Sequence, residues 1–239
     1  MKLSVILPIY KSGTYLKRNL PVIYRYLQSL KRSQSISFEI MIAEDGSEDV
    51  FSPEIQRFIK NHKEARFIHS KERLGRGRAI KNSVQKLSGT VIGYMDIDLA
   101  TDVGNLKKIV DIFETTDYYV VAGSRYIKGA KCKRSPARFI ASWMFNFLLR
   151  ILFESKVKDH QCGFKFFKRG FIKKYASKAK DDRWFWDTEI LILAQIAGKR
   201  VYELPVRWNE AKRSTVKLFQ DSIDMFVGIV KLFLKIYTR

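Results

Sequence analysis

Two carboxylates, Asp96 and Asp98, stand directly after the apolar run Val91-Ile92-Gly93-Tyr94-Met95. In an extended chain residues i and i+2 point to the same side, so the pair can face one divalent cation or its hydration shell. Mg2+ and Mn2+ prefer oxygen ligands and keep waters and substrate phosphates in their shells. The chemistry such a pair supports is neutralisation of a diphosphate leaving group. An Asp-x-Asp in a loop can also be merely solvated. Its place after an apolar strand, with a second acidic strand end at Glu44-Asp45-Gly46-Ser47, argues for the ligand reading. The Asp45 carboxylate can accept from a base N–H or a ribose hydroxyl, although Asp-Gly-Ser is also turn chemistry. A third segment, Arg73-Leu74-Gly75-Arg76-Gly77-Arg78-Ala79, brings glycines and guanidinium groups to a helix start, which suits phosphate. It lacks the G-x-x-x-x-G-K-[ST] spacing. As a G-x-G-x-x-G it has Ile80 at the third glycine and follows the third strand, so a dinucleotide dehydrogenase is disfavoured.

These residues must be positioned by a regular framework. Apolar strand-like runs at Leu3–Leu7, Phe38–Ala43, Ala65–His69, Val91–Met95 and Tyr118–Gly123 alternate with helical spacings at Tyr15–Lys31, Pro53–Asn61, Gly77–Leu87 and Val103–Thr115. Pro21 is expected to bend the start of the first helix. Such alternation predicts an α/β fold with a mostly parallel sheet covered on both faces. Ligands in such sheets sit beyond the carboxyl ends of the strands. Those ends carry Pro8, Asp45, Asp96, Asp98, Ser124 and Arg125. The second half predicts a helix over Ser135–Phe153, a short element over Gly163–Phe167, a helix over Thr188–Ala197, a strand over Val201–Leu204 and a final helix from about Val216.

In this order the motifs resemble family 2 glycosyltransferases with the GT-A (Rossmann-like) fold. They are Val5-Ile6-Leu7-Pro8-Ile9-Tyr10, Glu44-Asp45-Gly46-Ser47, Gly75-Arg76-Gly77-Arg78-Ala79 and Met95-Asp96-Ile97-Asp98-Leu99. Gly123-Ser124-Arg125-Tyr126, Arg138 with Ser142 and Asn146, Asp159 to Lys165, and Glu203-Leu204-Pro205-Val206-Arg207-Trp208 sharpen this. They resemble dolichyl-phosphate glucosyltransferases, with dolichol-phosphate mannose synthases close behind. The resemblance implies an inverting, metal-dependent hexosyl transfer from a nucleotide-sugar, UDP-glucose or GDP-mannose, to a polyprenyl or dolichyl phosphate. It places Pro8, Tyr10, Asp45, Arg76, Arg78, Asp96 and Lys217 at the nucleotide-sugar. Asp96 and Asp98 would hold Mg2+ or Mn2+. Arg125 and Arg138 would bind the acceptor phosphate, with Ser142 nearby, and Arg213 would close over the diphosphate with Lys217. Asp98, Arg125, Arg138 and Arg213 form the catalytic set on this reading. Lys11, Ser12, Ala100 and Arg213-Ser214-Thr215 depart from the family pattern and leave the donor base and sugar open.

A phosphate monoester acceptor is already anionic near neutral pH and needs placement rather than a general base. Asp187 and Glu189 are the reserve bases should the acceptor be a glycan hydroxyl. Their alternative reading is acidic residues at a helix start. The 239 residues carry 45 Lys plus Arg against 24 Asp plus Glu, a net charge of +21. Such a charge speaks of anionic partners rather than of fold. Two cysteines, Cys132 and Cys162, make neither a disulfide framework nor a zinc motif. The apolar start ends at Pro8 and does not read as a signal peptide. No run reaches the length of a spanning helix. Phe139–Leu149, flanked by arginines, and Met225–Tyr237, interrupted by Lys231 and Lys235, suit interfacial helices. Core packing or a homodimer face would account for the same residues. The expected division is a catalytic domain over 1–215 and an amphipathic C-terminal helix over 216–239. The expected location is the cytoplasmic face of a membrane, peripherally bound. Two rivals are a family 2 enzyme acting on a glycan hydroxyl and a basic nucleic-acid binder. The latter gives no reason for two acidic strand ends at one sheet edge, so no nucleic-acid partner is expected.

Overall fold

The computed structural model describes residues 1–47, 53–209 and 218–238. The first half alternates strands and helices. These are β1 (Lys2–Ile9), α1 (Gly13–Ser33), β2 (Ser37–Asp45), α2 (Pro53–Asn61), β3 (Ala65–Ser70), α3 (Arg76–Lys86), β4 (Val91–Met95), α4 (Asn105–Thr115) and β5 (Val120–Ser124). The second half adds β6 (Lys131–Lys133), α5 (Pro136–Leu152), β7 (Phe164–Lys168), α6 (Arg169–Tyr175), α7 (Trp186–Ile196), β8 (Val201–Pro205), β9 (Arg207–Asn209) and α8 (Leu218–Tyr237). Seven strands form one sheet in the order β3-β2-β1-β4-β7-β5-β8. Only β7 runs antiparallel, wedged between β4 and β5. The fold is therefore α/β with a mostly parallel sheet, as the alternation predicts.

Period-2 geometry divides the core. Leu3, Val5, Leu7, Ile40, Ile42, Val91 and Met95 point to one face, where α1 and α4 cover them with Leu16, Leu20, Ile23, Leu27, Leu106, Ile109 and Val110. Ile6, Met41, Ala43, Ile92 and Tyr94 point to the other, under Ile80 and Val84 of α3 and Trp186, Ile190 and Leu191 of α7. Burial on both faces explains why these strands read as near-continuous apolar runs. The helix α1 runs on through Pro21.

The sheet order reverses direction between β1 and β4. Successive strands β1, β2 and β3 grow one way, and β4 begins the other half. A crevice opens at such a switch point beyond the carboxyl ends. The segment after β4 lies at its mouth.

A third cluster joins α5, α7 and α8 through Leu149, Phe185, Ile192, Ile229 and Leu232. The opposite sides of α5 and α8 face outward with large apolar groups. On α5 these are Phe139, Ile140, Trp143, Met144, Phe147 and Ile151, and on α8 Ile223, Phe226, Val227, Val230, Leu234 and Tyr237. Among the described residues no helix is long and apolar enough to cross a membrane.

Candidate active site

The acid pair sits on a turn. Leu99 N–H donates to the Asp96 carbonyl at 3.3 Å, and Leu99 takes a left-handed conformation with φ of 57°. The extended geometry expected for this segment is thus replaced by a turn. Ile97 is buried while Asp96 and Asp98 are each only half-buried. Asn19 of α1 fixes the turn from below, donating from Nδ2 to the Ile97 carbonyl at 2.8 Å. The Ala100 N–H donates to Asp98 Oδ1 at 2.9 Å. Burial, reinforced by the charge of Asp96, pushes the Asp98 carboxyl up to about 6. The backbone of Gly163 lies directly behind Asp96, where a Cβ would stand 1.9 Å from Oδ2.

The other strand ends brace the crevice. Pro8 is half-buried near the end of β1, in register with Ala43. Tyr10 follows, with the Arg73 guanidinium 4.1 Å from its ring centroid. Asp45 is buried at the end of β2, and its carboxylate accepts from the backbone N–H groups of Leu74 at 2.7 Å and Gly75 at 3.0 Å. It fastens the Arg73–Gly75 loop, and burial raises its pKa despite these hydrogen bonds. Glu44, read only as part of a motif, accepts from the Gly46 and Ser47 backbone and contacts His69 Nδ1 at 2.6 Å.

Arg76 is the cation of the crevice. Its Nη2 donates to Asp96 Oδ1 at 2.7 Å, and its Nη1 donates to both oxygens of Asp187 at 3.0 and 2.8 Å. Arg78, two residues on, is directed elsewhere. It pairs with Asp182 on the surface. Two residues along a helix turn the side chain by about 200°, and the two guanidinium groups take different carboxylate partners.

On the acceptor side Arg125 and Ser142 have protein partners. Arg125 is buried, with Nε and Nη2 donating to the two oxygens of Asp159 at 2.7 and 2.8 Å. A buried guanidinium requires a charged partner, and Asp159 supplies it in this structure. Ser142 faces inward on α5 and donates to Gln161 Oε1 at 3.1 Å. Arg138 stands half-buried in the first turn of α5. Arg213 and Lys217 lie outside the described residues.

Three contributors hold places that the sequence did not assign them. Gly163 is described above. Asp187, a reserve base, instead anchors Arg76 and accepts from Tyr94 Oη–H at 2.8 Å. Lys165 is wholly buried, donating to the Cys162 carbonyl at 2.5 Å with Nζ 3.7 Å from Asp187 Oδ2. A lysine inside the aromatic strand Phe164-Lys165-Phe166-Phe167 was the signal available. Glu189, the other reserve base, accepts from the Lys180 and Asp181 N–H groups and pairs with Lys235.

The description Glycosyl transferase family 2 matches residues 4–176. The chain belongs to glycosyl transferase family 2. By that membership its chemistry is glycosyl transfer. It is 34% identical over 240 residues to Glycosyltransferase AglD of Haloferax volcanii, aligning all of the chain with 38% of that protein. It is 30% identical over 235 residues to the dolichyl-phosphate beta-glucosyltransferase ALG5A of Trichomonas vaginalis, aligning 96% of the chain with 72% of that protein. The Saccharomyces cerevisiae dolichyl-phosphate beta-glucosyltransferase is 30% identical over 246 residues, covering 95% of the chain and 73% of its own length. The chain thus spans little more than a third of AglD. Among solved structures, glucosyl-3-phosphoglycerate synthase of Mycobacterium tuberculosis, bound to Mn2+, UDP and phosphoglyceric acid, superposes with a TM-score of 0.68 at 14% identity. That match covers 97% of this chain and 78% of the other. The mannosyltransferase PcManGT of Pyrobaculum calidifontis, with GDP-Man and Mn2+, gives 0.62 at 16% identity, covering 99% and 64%. These likenesses place the sheet in the GT-A fold.

A divalent cation suits the residues of this family 2 chain. Asp96 and Asp98 offer hard oxygen donors, and the Arg76 guanidinium marks Asp96 as a place for positive charge. Among the described residues no group of three or more His, Cys, Asp or Glu is placed to hold a metal ion by itself. A cation held by two carboxylates takes its remaining ligands from water and phosphate, as Mg2+ and Mn2+ do.

Proposed function

We propose that this chain transfers a hexose from a nucleoside diphosphate sugar to a polyprenyl phosphate of the dolichyl type, at the surface of a membrane. One arrangement carries the proposal. The acid pair at the sheet's switch point lies one layer from an apolar helix. Gly163 backs Asp96, and the preceding residues Gln161 and His160 bond to Ser142 and Asn146 on the inner side of α5. The outer side of α5 exposes Ile140 at 56%, Met144 at 59% and Ile151 at 60% of their surfaces. A lipid-borne phosphate resting against this helix has a short route to the crevice. The relatives named dolichyl-phosphate beta-glucosyltransferase support this acceptor and favour glucose as the sugar.

In the reaction an acceptor phosphate oxygen forms a bond to the anomeric carbon as the bond from that carbon to the diphosphate oxygen breaks. The anomeric configuration inverts. Asp96 and Asp98 would hold Mg2+ or Mn2+, which would supply charge neutralisation for the departing diphosphate. The chain's own residues hold and orient. Asp45 fixes the loop beside the nucleotide, Tyr10 and Pro8 form its wall, and Arg138 presents the acceptor anion. No general base is required, because the nucleophile is already charged. That fits the commitment of Asp187 and Glu189 to structural partners.

The membrane face is the exposed apolar side of α5 and α8. Basic flanks assist, each worth about 1 kcal/mol near an anionic leaflet. The location that follows is peripheral, on the cytoplasmic face. The test is transfer from UDP-glucose and GDP-mannose to a short-chain polyprenyl phosphate in detergent, with a free sugar acceptor alongside. Transfer to the lipid phosphate alone is expected. Transfer only to the sugar hydroxyl would replace this reading with that of a glycan-directed enzyme. Arg138→Ala should raise the acceptor KM about tenfold or more, the worth of one charge-assisted hydrogen bond, while donor binding stays unchanged.

A further inference from the structure

One cation already sits on the first carboxylate of the acid pair. The Arg76 guanidinium joins Asp96 Oδ1 at 2.7 Å to Asp187, which grips it with both oxygens. The arginine side chain is 10% exposed, and the rings of Tyr94 and Trp184 lie 5.0 and 5.5 Å from the guanidinium carbon. Asp187 is held in turn by Tyr94 Oη–H at 2.8 Å, with Lys165 Nζ 3.7 Å away. Arginine remains charged at every accessible pH. An Asp96 oxygen is therefore engaged by a fixed positive charge whose position is set from the far side.

The charge balance gives this arrangement a consequence. Three carboxylates, Asp96, Asp98 and Asp187, face two cations, Arg76 and Lys165. A bare divalent ion would leave the cluster net positive in a partly buried crevice, next to a guanidinium it repels. The same ion arriving with a diphosphate would not, and the diphosphate oxygens would offer Arg76 a new anionic partner of matching geometry.

We propose that Arg76, anchored by Asp187, is an internal counter-ion of Asp96 that holds the acid pair against a bare divalent cation, so that cation and nucleoside diphosphate enter together. The inference rests on the donor site proposed above. Asp187 acts through Arg76 and is a positioning residue.

The test measures binding of Mn2+ alone, without nucleotide, from the loss of the free-ion paramagnetic resonance signal. Arg76→Met removes the competing charge, and Lys165 remains beside Asp187 to balance it. This variant should bind Mn2+ about tenfold tighter than the wild type, the equivalent of one charge-assisted hydrogen bond. Asp187→Asn should move affinity the other way, because Arg76 would turn wholly to Asp96. Arg76→Lys should restore weak binding. A merely structural role would weaken binding in both Arg76→Met and Asp187→Asn. Should Arg76→Met fail to fold, Arg76→Gln keeps a hydrogen bond to Asp187 without the charge and carries the same test. Unchanged or weaker Mn2+ binding on loss of the Arg76 charge overturns the inference and leaves the metal site standing. A gain that survives addition of Asp98→Asn would put the ion elsewhere and overturn the donor-site reading with it.

Discussion

Gly163 shows how closely single residues constrain this site. A Cβ there would stand 1.9 Å from Asp96 Oδ2 and 2.4 Å from its Cγ, so Gly163→Ala must push the Asp96 side chain aside. Nucleotide affinity in the presence of Mn2+, measured by calorimetry, should fall at least about tenfold in this variant. An unaltered affinity would show that Asp96 does not need its present position. His160 is a second case. It is wholly buried, and burial, helped by the charge of Lys165, pushes its pKa down to about 3. Its Nδ1 contacts Asn146 Oδ1 at 2.9 Å and its Nε2 contacts Ser155 Oγ at 2.8 Å, so a neutral ring fits with Nδ1–H donating and Nε2 accepting. The unfolded chain takes up a proton near pH 6.5 that the folded chain refuses until about 3. The stability from keeping this ring neutral is present above 6.5 and is lost as pH falls, at up to about 1.4 kcal/mol per pH unit. Urea unfolding at about pH 7 and about pH 5 should show a smaller loss for His160→Gln than for wild type. Equal losses would mean that the ring does not govern the slope. At this scale the sequence was partly legible. Asp96, Asp98 and Arg76 carry recognisable types at recognisable places. The partners of Arg125 and Ser142 were not legible, because Asp159 and Gln161 lie 34 and 19 residues away and only tertiary packing joins them.

At the scale of elements, β4 and α2 have the bounds that periodicity assigns, and the other long elements differ mainly at their ends. Periodicity reports a buried face, and these elements bury one. The three that periodicity missed are short. The strands β6 and β9 have three residues each and form a separate parallel pair, while α6 has seven residues. Segments of that length hold too few residues to display a period. The helix α5 is the most telling element. Its inner face carries Ser142, Asn146 and Leu149, and its outer face carries Ile140, Trp143, Met144 and Phe147. That polarity is inverted relative to a solvated surface helix. Ile140→Glu with Met144→Glu should leave the unfolding midpoint nearly unchanged, since both side chains are already more than half exposed. The same pair should reduce flotation with phosphatidylserine-containing vesicles several-fold, because acidic groups on an inserted face are expelled. Retained flotation would move the membrane contact to another surface.

At the scale of the molecule, the proposed membrane partner rests on a net charge of +21 and on the exposed apolar sides of α5 and α8, a pairing that suits an anionic surface. Charge attraction is screened over about 8 Å at physiological salt, whereas apolar insertion is not. Vesicle binding should therefore weaken at about 1 M salt without vanishing. Complete loss would make the attraction purely electrostatic. The parallel order with its reversal between β1 and β4 explains why residues from four distant segments meet at one edge. Pro8, Asp45, Arg76 and Asp96 share that edge because each lies at or after a strand's carboxyl end. The claim on which the rest depends is that Asp96 and Asp98 hold a divalent cation together with the donor diphosphate. Calorimetric titration with UDP and with GDP, in Mn2+ and then in excess chelator, tests it most directly. One nucleotide should bind wild type only in Mn2+, and Asp98→Asn should abolish that binding. Equal nucleotide affinity in chelator, or in Asp98→Asn, would contradict the account.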